Sequence, residues 1–400
     1  MIIPSKLAYL SSPEGAALLR RVMEDGRDDL ALGSTAWMRE VAAWQRAALL
    51  EQRALRERGL KRQPRAAVML FTSAGLQQMT SDALAAHKAA RLPQGLTAIA
   101  DLCCGVGGDS FRVPPEVTVV GVDRDAETLR AYRHNTSLFR AASVVRADVT
   151  RFEARVDGIF LDPARRALEG GKGGRGVARD FDEEPEPGWA AVGEIVRRFG
   201  NTVLKFGPGA RVPEELLEGE REFLGLRDEC LELTVRTGAF GRPGWVRATE
   251  LPSGAFVEAR AADLDDSFGE IAEPGEWFYE PVKCVVRAHL FGVLAERHGL
   301  WRLDGRTAYL SGSARVDSPL LKRYRVVKVL PPDEKALRAE LAAAEIGILE
   351  IKKRGMDISP EEWRKRLKPK GPNSGTLVFT RLENKPTVLR VERDEAQSDE

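Results

Sequence analysis

The chain has 400 residues, 43% of them hydrophobic and 30% charged, with a formal net charge of +1. That length supplies core for two or three domains, and the near-neutral balance excludes a global field that would draw the whole molecule onto nucleic acid, so any basic surface must be local. Four cysteines exclude a disulfide framework, no apolar run approaches the ~18 residues of a membrane span, and "MIIPSKLAYLSSPEG" is a poor signal peptide, so the sequence reads as a reduced, cytoplasmic protein.

Residues 1–92 read as a helical domain. Trp37, Val41, Trp44, Ala48 and Leu55 recur at helical spacing, with charged residues around them. A second helix is predicted over 73–92, ending before Pro93. From 93 to 260 the texture changes. The short apolar runs "TAIADL", "EVTVVGV", "ASVVRA", "DGIFLD" and "NTVLKF" alternate with helical stretches and are flanked by Gly, Pro and Asp. That alternation predicts an α/β domain with a Rossmann-like, doubly wound parallel sheet. "LELTVRT" and "GWVRATEL" follow with little helix between them and predict an antiparallel pair at a sheet edge.

An acidic linker spans 261–275, and a third domain runs from 276 to 392. A helix is predicted after Pro281. Then come "RYRVVKVL", "DEKALRAELAAAE", "IGILEIKK", "SPEEWRKRLK", "TLVFTRL" and "TVLRVE". The order β-α-β-α-β-β predicts a small ferredoxin-like sandwich. Residues 393–400 are charged and expected to lack fixed structure.

The chemistry is concentrated at predicted strand ends. In "DLCCGVGGDS", Asp101 closes the first strand, and Gly105, Gly107 and Gly108 let backbone approach a ligand closely. The dinucleotide fingerprint G-x-G-x-x-G fits Gly105 and Gly107 but meets Ser110 at its last position. Asp123 ends the second strand, in "VTVVGVDRD" with Arg124, where a carboxylate suits both hydroxyls of a ribose. Asp148 ends the third strand and suits an adenine amino group. Each aspartate alone also suits a turn or a helix cap. Asp162 and Pro163 end the fourth strand, where substrates meet open α/β sheets. Cys103-Cys104 lacks C-x-x-C spacing and has no nearby His, so no metal is expected. Cys104 reads as packing inside the turn, and His87, His134, His289 and His298 are scattered and read as structural.

The succession Asp101–Gly105–Gly107, Asp123, Asp148, Asp162-Pro163 resembles the class I S-adenosylmethionine-dependent methyltransferases. "DLCCGVGGD" is similar to the D-x-x-C-G-x-G-G turn of trimethylguanosine synthases and several RNA methyltransferases, with Cys103 standing where many members have glycine. "FTSAGLQQMTSDALAAHKAAR", "DPARR" and "LEIKKRG" resemble a bacterial group with a C-terminal THUMP-like domain. The resemblance implies S-adenosylmethionine bound by Asp101, Cys104, Gly105, Gly107, Asp123, Arg124 and Asp148. "DPAR" resembles the D/N-P-P-Y/W motif, which implies that Asp162 and Pro163 hold the N–H of a target nitrogen. Ala164 and Arg165 replace the second proline and the aromatic, which leaves Phe181, Trp189 and Phe206 as candidates to stack on a base. The resemblance further implies an RNA substrate.

Three further features suit RNA. "ALEGGKGGRGVARDF" is a glycine-rich basic loop in which Lys172 and Arg175, like Arg165 before it, suit phosphate, although a solvated insertion reads equally well. Lys205, in "VLKFGPG", suits either a substrate contact or a helix cap. Between 320 and 370 there are 14 Lys and Arg against 8 Asp and Glu. Lys352, Lys353 and Arg354 would form a phosphate-binding face if their strand end met Arg364, Lys365 and Arg366; otherwise the run is a solvated surface. An RNA methyltransferase is therefore the leading expectation. A non-catalytic RNA-binding protein on the same scaffold and an NAD-dependent oxidoreductase are the alternatives.

Overall fold

A computed structural model describes residues 5–165, 185–264 and 269–394. The expected basic loop, with Lys172, Arg175 and Phe181, and the end of the charged tail lie outside these residues. The chain forms two compact units. The first is Met1–Glu220 with Leu233–Pro243; the second is Arg221–Glu232 with Gly244–Glu400.

The N-terminal part of the first unit includes helices α1 (Pro13–Glu24), α2 (Ala43–Gly59), α3 (Ser73–Gln78) and α4 (Asp82–Ala90). The apolar stripe is not one helix, because Ala36–Glu40 and α2 are broken at Val41 and Ala42. The helix expected over 73–92 is likewise split. Thr72 caps α3 by accepting from Gly75 N–H at 2.9 Å, the chain turns extended at Met79, and α4 starts afresh after Ser81. These helices do not form a separate core. Leu49, Leu55, Phe71, Leu76 and Met79 pack in one cluster with Val106, Phe111 and Ala131.

The sheet of this unit comprises β1 (Ala98–Leu102), β2 (Thr118–Asp123), β3 (Ala142–Arg146), β4 (Gly158–Leu161) and β5 (Thr202–Phe206), with α5 (Ala126–Ser137) and α6 (Trp189–Phe199) between strands. In the remaining chain, β6 is Glu220–Leu226, β7 is Glu229–Thr237, β8 is Trp245–Leu251 and β9 is Ala255–Arg260. The order in the first unit is β3-β2-β1-β4-β5-β7. The first five strands are parallel and β7 is antiparallel to β5, through Thr202↔Thr237 to Phe206↔Leu233. The central strands β1, β4 and β5 are buried on both faces, which explains their near-continuous apolar runs, whereas the edge strand β3 leaves Ser143, Val145 and Arg146 exposed. Strand order reverses between β1 and β4, which makes their carboxyl ends a topological switch point.

In the second unit β8 runs parallel to β6 and antiparallel to β9. β8 therefore does not pair with β7 as the sequence suggested. A seven-stranded sheet includes β10 (Trp277–Pro281), β11 (Leu321–Leu330), β12 (Ile346–Lys353), β13 (Asn373–Leu382) and β14 (Lys385–Arg393). The helix expected after Pro281 is two pieces, Lys283–Arg287 and Phe291–His298, divided where His289 takes a left-handed conformation, φ 57°. Helices α7 (Glu334–Ala343) and α8 (Pro360–Leu367) cover one face through Leu337, Leu341, Trp363 and Leu367. The element order β-α-β-α-β-β matches the sequence reading, with strands in the order β11-β14-β13-β12. A ferredoxin-like unit runs β-α-β-β-α-β; here both helical crossovers come first and a hairpin comes last.

Candidate active site

The turn after β1 is built by backbone conformation. Cys103, Gly105 and Gly107 have φ of 57°, 53° and 96°. A Cβ on Gly107 would lie 2.8 Å from the Phe111 ring, so both conformation and space require glycine there. Cys103 holds its left-handed conformation without that freedom, an uncommon state for a side-chain-bearing residue. Cys104 is buried beside Leu129 and Tyr132, and its N–H donates to Val122 O at 3.2 Å, which ties the turn to β2.

Asp101 is buried at 2% exposure. Its carboxylate accepts from the Ser110 hydroxyl, and Ser110 in turn shares a 2.8 Å hydrogen bond with the Tyr132 hydroxyl. Burial pushes the Asp101 carboxyl well above its ordinary value, and Asp109 adds to the rise. The resemblance put Asp101 against a cofactor; in this structure its carboxylate is buried and, through Ser110, braces the turn. Asp123 is half-buried at the end of β2 and accepts from Asp125 N–H at 2.9 Å. Burial raises its carboxyl, opposed by N–H donors of Asp125, Gly105 and Arg124. Its neighbour Arg124 is exposed and ion-paired with Glu186 at 2.7 Å. Asp148 is at the surface. It accepts from Thr150 N–H at 2.9 Å and Thr150 Oγ1 at 2.8 Å, so it caps a short helical turn.

Asp162 lies across the switch point from the turn, and its N–H donates to Leu102 O at 3.3 Å. Its side chain is 30% exposed and accepts from Lys205 Nζ at 2.5 Å. Lys205 also donates to Gln78 O at 3.1 Å and lies 4.0 Å from Asp109 Oδ2. Asp109 accepts from Thr80 Oγ1 at 3.0 Å and is ion-paired with the fully buried Lys88. Burial pushes the Asp162 carboxyl up while Lys205 pulls it down, and Asp109 adds to the rise. Burial would raise Asp109 too, but Lys88 and Lys205 hold it below the usual carboxylate range. The sequence pointed to Asp162 and Lys205 but not to their contact, and it missed Lys88, Asp109, Thr80 and Gln78. Asp109 carried a signal, since it follows Gly107 and Gly108 in the same turn. Lys88 carried none.

Pro163 is buried behind Asp162. Ala164 and Arg165 continue as a two-residue strand paired with Pro185 and Glu186. Of the aromatic candidates, Trp189 and Phe206 pack on each other, rings 5.2 Å apart, with Phe206 buried. In the second unit the run 352–354 does not form a free basic face. Lys352 is 14% exposed and ion-paired with Glu280 at 2.8 Å. Lys353 donates to Ile358 O at 2.5 Å. The Arg354 guanidinium lies 4.8 Å from the Tyr309 ring centre and 3.9 Å from Glu280. Alternation along β12 turns Lys352 onto the face opposite α8, whereas Lys353 lines one cavity with Arg366, so the edge expected with Arg364–Arg366 forms only in part. Among the described residues no group of three or more His, Cys, Asp or Glu could hold a metal ion, and no helix is long and apolar enough to cross a membrane.

A parallel sheet with a glycine turn and a strand-end acid at its switch point is shared by several enzyme classes. Comparison with known proteins distinguishes them. Two uncharacterised S-adenosylmethionine-dependent methyltransferases of Mycobacterium tuberculosis, from strains CDC 1551 and H37Rv, are each 34% identical over 324 residues, which is 78% of this chain and 85% of theirs. The chain belongs to the S-adenosylmethionine-dependent methyltransferases. The family model described as THUMP domain-like matches residues 321–393, from β11 to the end of β14. A solved structure from Porphyromonas gingivalis W83, provisionally named a methyltransferase, shares the fold along its whole length. It aligns with a TM-score of 0.77 at 21% identity, covering 99% of this chain and 100% of that one. The methyltransferase turn fits its cofactor: a Cβ on Gly105 would meet nothing within 4 Å, so the backbone there faces open space beside the half-buried Asp123.

Proposed function

We propose that the chain methylates a nitrogen of an RNA base. The observation that carries the reading is Asp162: a partly open carboxylate at the switch point, one strand from the glycine turn. In this reading the backbone from Cys103 to Gly107 and the carboxylate of Asp123 hold S-adenosylmethionine, which supplies when bound a methyl on a positively charged sulfur that departs as a neutral thioether. Asp162 accepts the N–H of the acceptor amine and so aims its lone pair. Pro163 restricts Asp162 to extended backbone, which limits the carboxylate's freedom. As the nitrogen gains a bond to carbon it becomes positive, and the fixed carboxylate stabilises that charge. The amine then loses one proton, for which Asp162 is the nearest acceptor.

Support for RNA is separate from the chemistry. It comes from the THUMP domain-like match and from the exposed Lys365, Lys368 and Lys370 at the end of α8. The test is to incubate total RNA from a strain lacking the gene with pure protein and methyl-labelled S-adenosylmethionine, then digest the RNA and identify the labelled nucleoside. An N-methylated base is the expected product. Cofactor binding without transfer to any RNA would overturn the reading in favour of a non-catalytic RNA-binding role.

A further inference from the structure

The geometry points to Lys205 as a positioning residue for methyl transfer: its ammonium, seated among Asp162, Gln78 and Asp109, keeps Asp162 ionised and aimed at the acceptor. This rests on the reading of Asp162 given above.

Three elements converge on this ammonium. Asp162 follows β4, Gln78 ends α3, and Asp109 follows the glycine turn; their oxygens lie 2.5, 3.1 and 4.0 Å from Lys205 Nζ. The contact to Gln78 depends on the break between α3 and α4, which leaves the last carbonyls of α3 without helical partners. Arg62 takes Leu76 O at 3.0 Å and Gln77 O at 2.7 Å, and Lys205 takes Gln78 O. The negative end of the helix thus faces the lysine. Lys88 and Thr80 fix Asp109 from the other side. The two lysines and two aspartates alternate in space and cancel in charge.

The arrangement matters because Asp162 has unfavourable company. Asp109 and Asp101 are nearby carboxylates, and burial disfavours charge. Lys205 is the cation in direct contact, and Lys88 acts from further away. A buried carboxylate that lost its cation would take up a proton. The neutral acid would no longer stabilise positive charge on nitrogen. Lys205 was expected at the substrate; its 17% exposure and inward contacts assign it instead to holding the residue that meets substrate.

The test compares wild type, Lys205→Met, Lys205→Arg, Asp162→Asn and Asp162→Ala. Rates of methyl transfer to the RNA above are measured against pH, alongside carbon NMR titration of the aspartate carboxyls without RNA, with Asp162 assigned by the signal lost in Asp162→Asn. Lys205→Met should move the acid limb of kcat upward by about 1–3 pH units. At high pH its rate should return to within a few-fold of wild type, with cofactor affinity unchanged. The Asp162 carboxyl signal should move with the limb. Lys205→Arg should keep the limb near wild type, because the cation is retained. A merely structural lysine would lower the rate equally at every pH. An unmoved limb in Lys205→Met, together with inactive Asp162→Ala, would overturn the inference alone. Full turnover in Asp162→Ala would overturn the reading of Asp162 beneath it, while NMR still reported the ion pair. If Lys205→Met does not fold, wild type decides: an Asp162 carboxyl still protonated at pH 7 overturns the inference, and an ionised one supports it.

Discussion

Single atoms decide much at this site. Asp123 and Asp162 are both strand-end carboxylates, yet backbone N–H groups surround one and an ammonium holds the other. Their substitutions should therefore separate. In the proposed reading Asp123 accepts from two ribose hydroxyls at roughly 1.5–3 kcal/mol each, so Asp123→Ala should weaken S-adenosylmethionine binding at least about tenfold, measured by calorimetry. Asp162→Ala should instead remove turnover and leave that affinity nearly intact. Equal losses in both quantities would make Asp162 a cofactor or folding residue. Gly121 offers a test of the scaffold. A Cβ there would sit 2.3 Å from the Tyr132 ring, which lies flat on β2 and reaches Ser110 and so Asp101. Gly121→Ala should cost about 1–3 kcal/mol by chemical denaturation, as overpacking does. An unchanged midpoint would show that Tyr132 moves freely and does not brace the turn.

At the scale of elements, the sequence was most informative where local chemistry and tertiary burial agree. The strands β1 to β5 are short apolar runs closed by Gly, Pro or Asp; β1, β4 and β5 are buried on both faces, while β3 is the exposed edge. Helices were harder to bound. The helical pattern runs through Met79–Ser81, but the chain breaks there, and the reason is tertiary: Gln78 O meets Lys205 and Thr80 meets Asp109, both far away in sequence. The break thus serves the site, and no period in the sequence records it. Lys88 and Lys352 illustrate a second limit. A lysine in a charged neighbourhood reads as solvated, whereas here each is turned inward onto a carboxylate, Asp109 or Glu280. Sequence spacing gives a side chain's face but not the partner that makes burying its charge tolerable. The strand-end aspartates were visible as a series, but their separate duties were not, because a hydrogen-bond partner such as Ser110 or Thr150 is a matter of turn geometry.

Across the whole molecule, the proposed reading assigns chemistry to one unit and RNA capture to the other, and this division is testable. The first unit carries Asp123, Asp162 and Lys205; the THUMP domain-like match lies in the second. Within that match the lysines fall into two classes. Lys352 is committed to Glu280 and ties β12 to β10. Lys365, Lys368 and Lys370 are exposed and meet no acidic partner among the described residues, so their charge is available to phosphate. Lys365→Ala/Lys368→Ala/Lys370→Ala should therefore weaken binding of every RNA similarly, since phosphate contacts position and do not specify. Each lost contact to a single strand should shallow the slope of log affinity against log salt by about 0.7, so the triple variant should lose up to about 2 from the slope. The variant should raise KM for RNA at low salt, leave kcat at saturating RNA near wild type, and leave S-adenosylmethionine affinity unchanged. Lys352→Ala should behave differently: it removes the closest cation from the half-buried Glu280 and should lower the unfolding midpoint without changing the salt slope per folded molecule. A triple variant with the wild-type slope would show that the exposed lysines are a solvated surface and that RNA is held elsewhere. A fall in kcat with an unchanged slope would show that the second unit acts on the chemistry and not on capture.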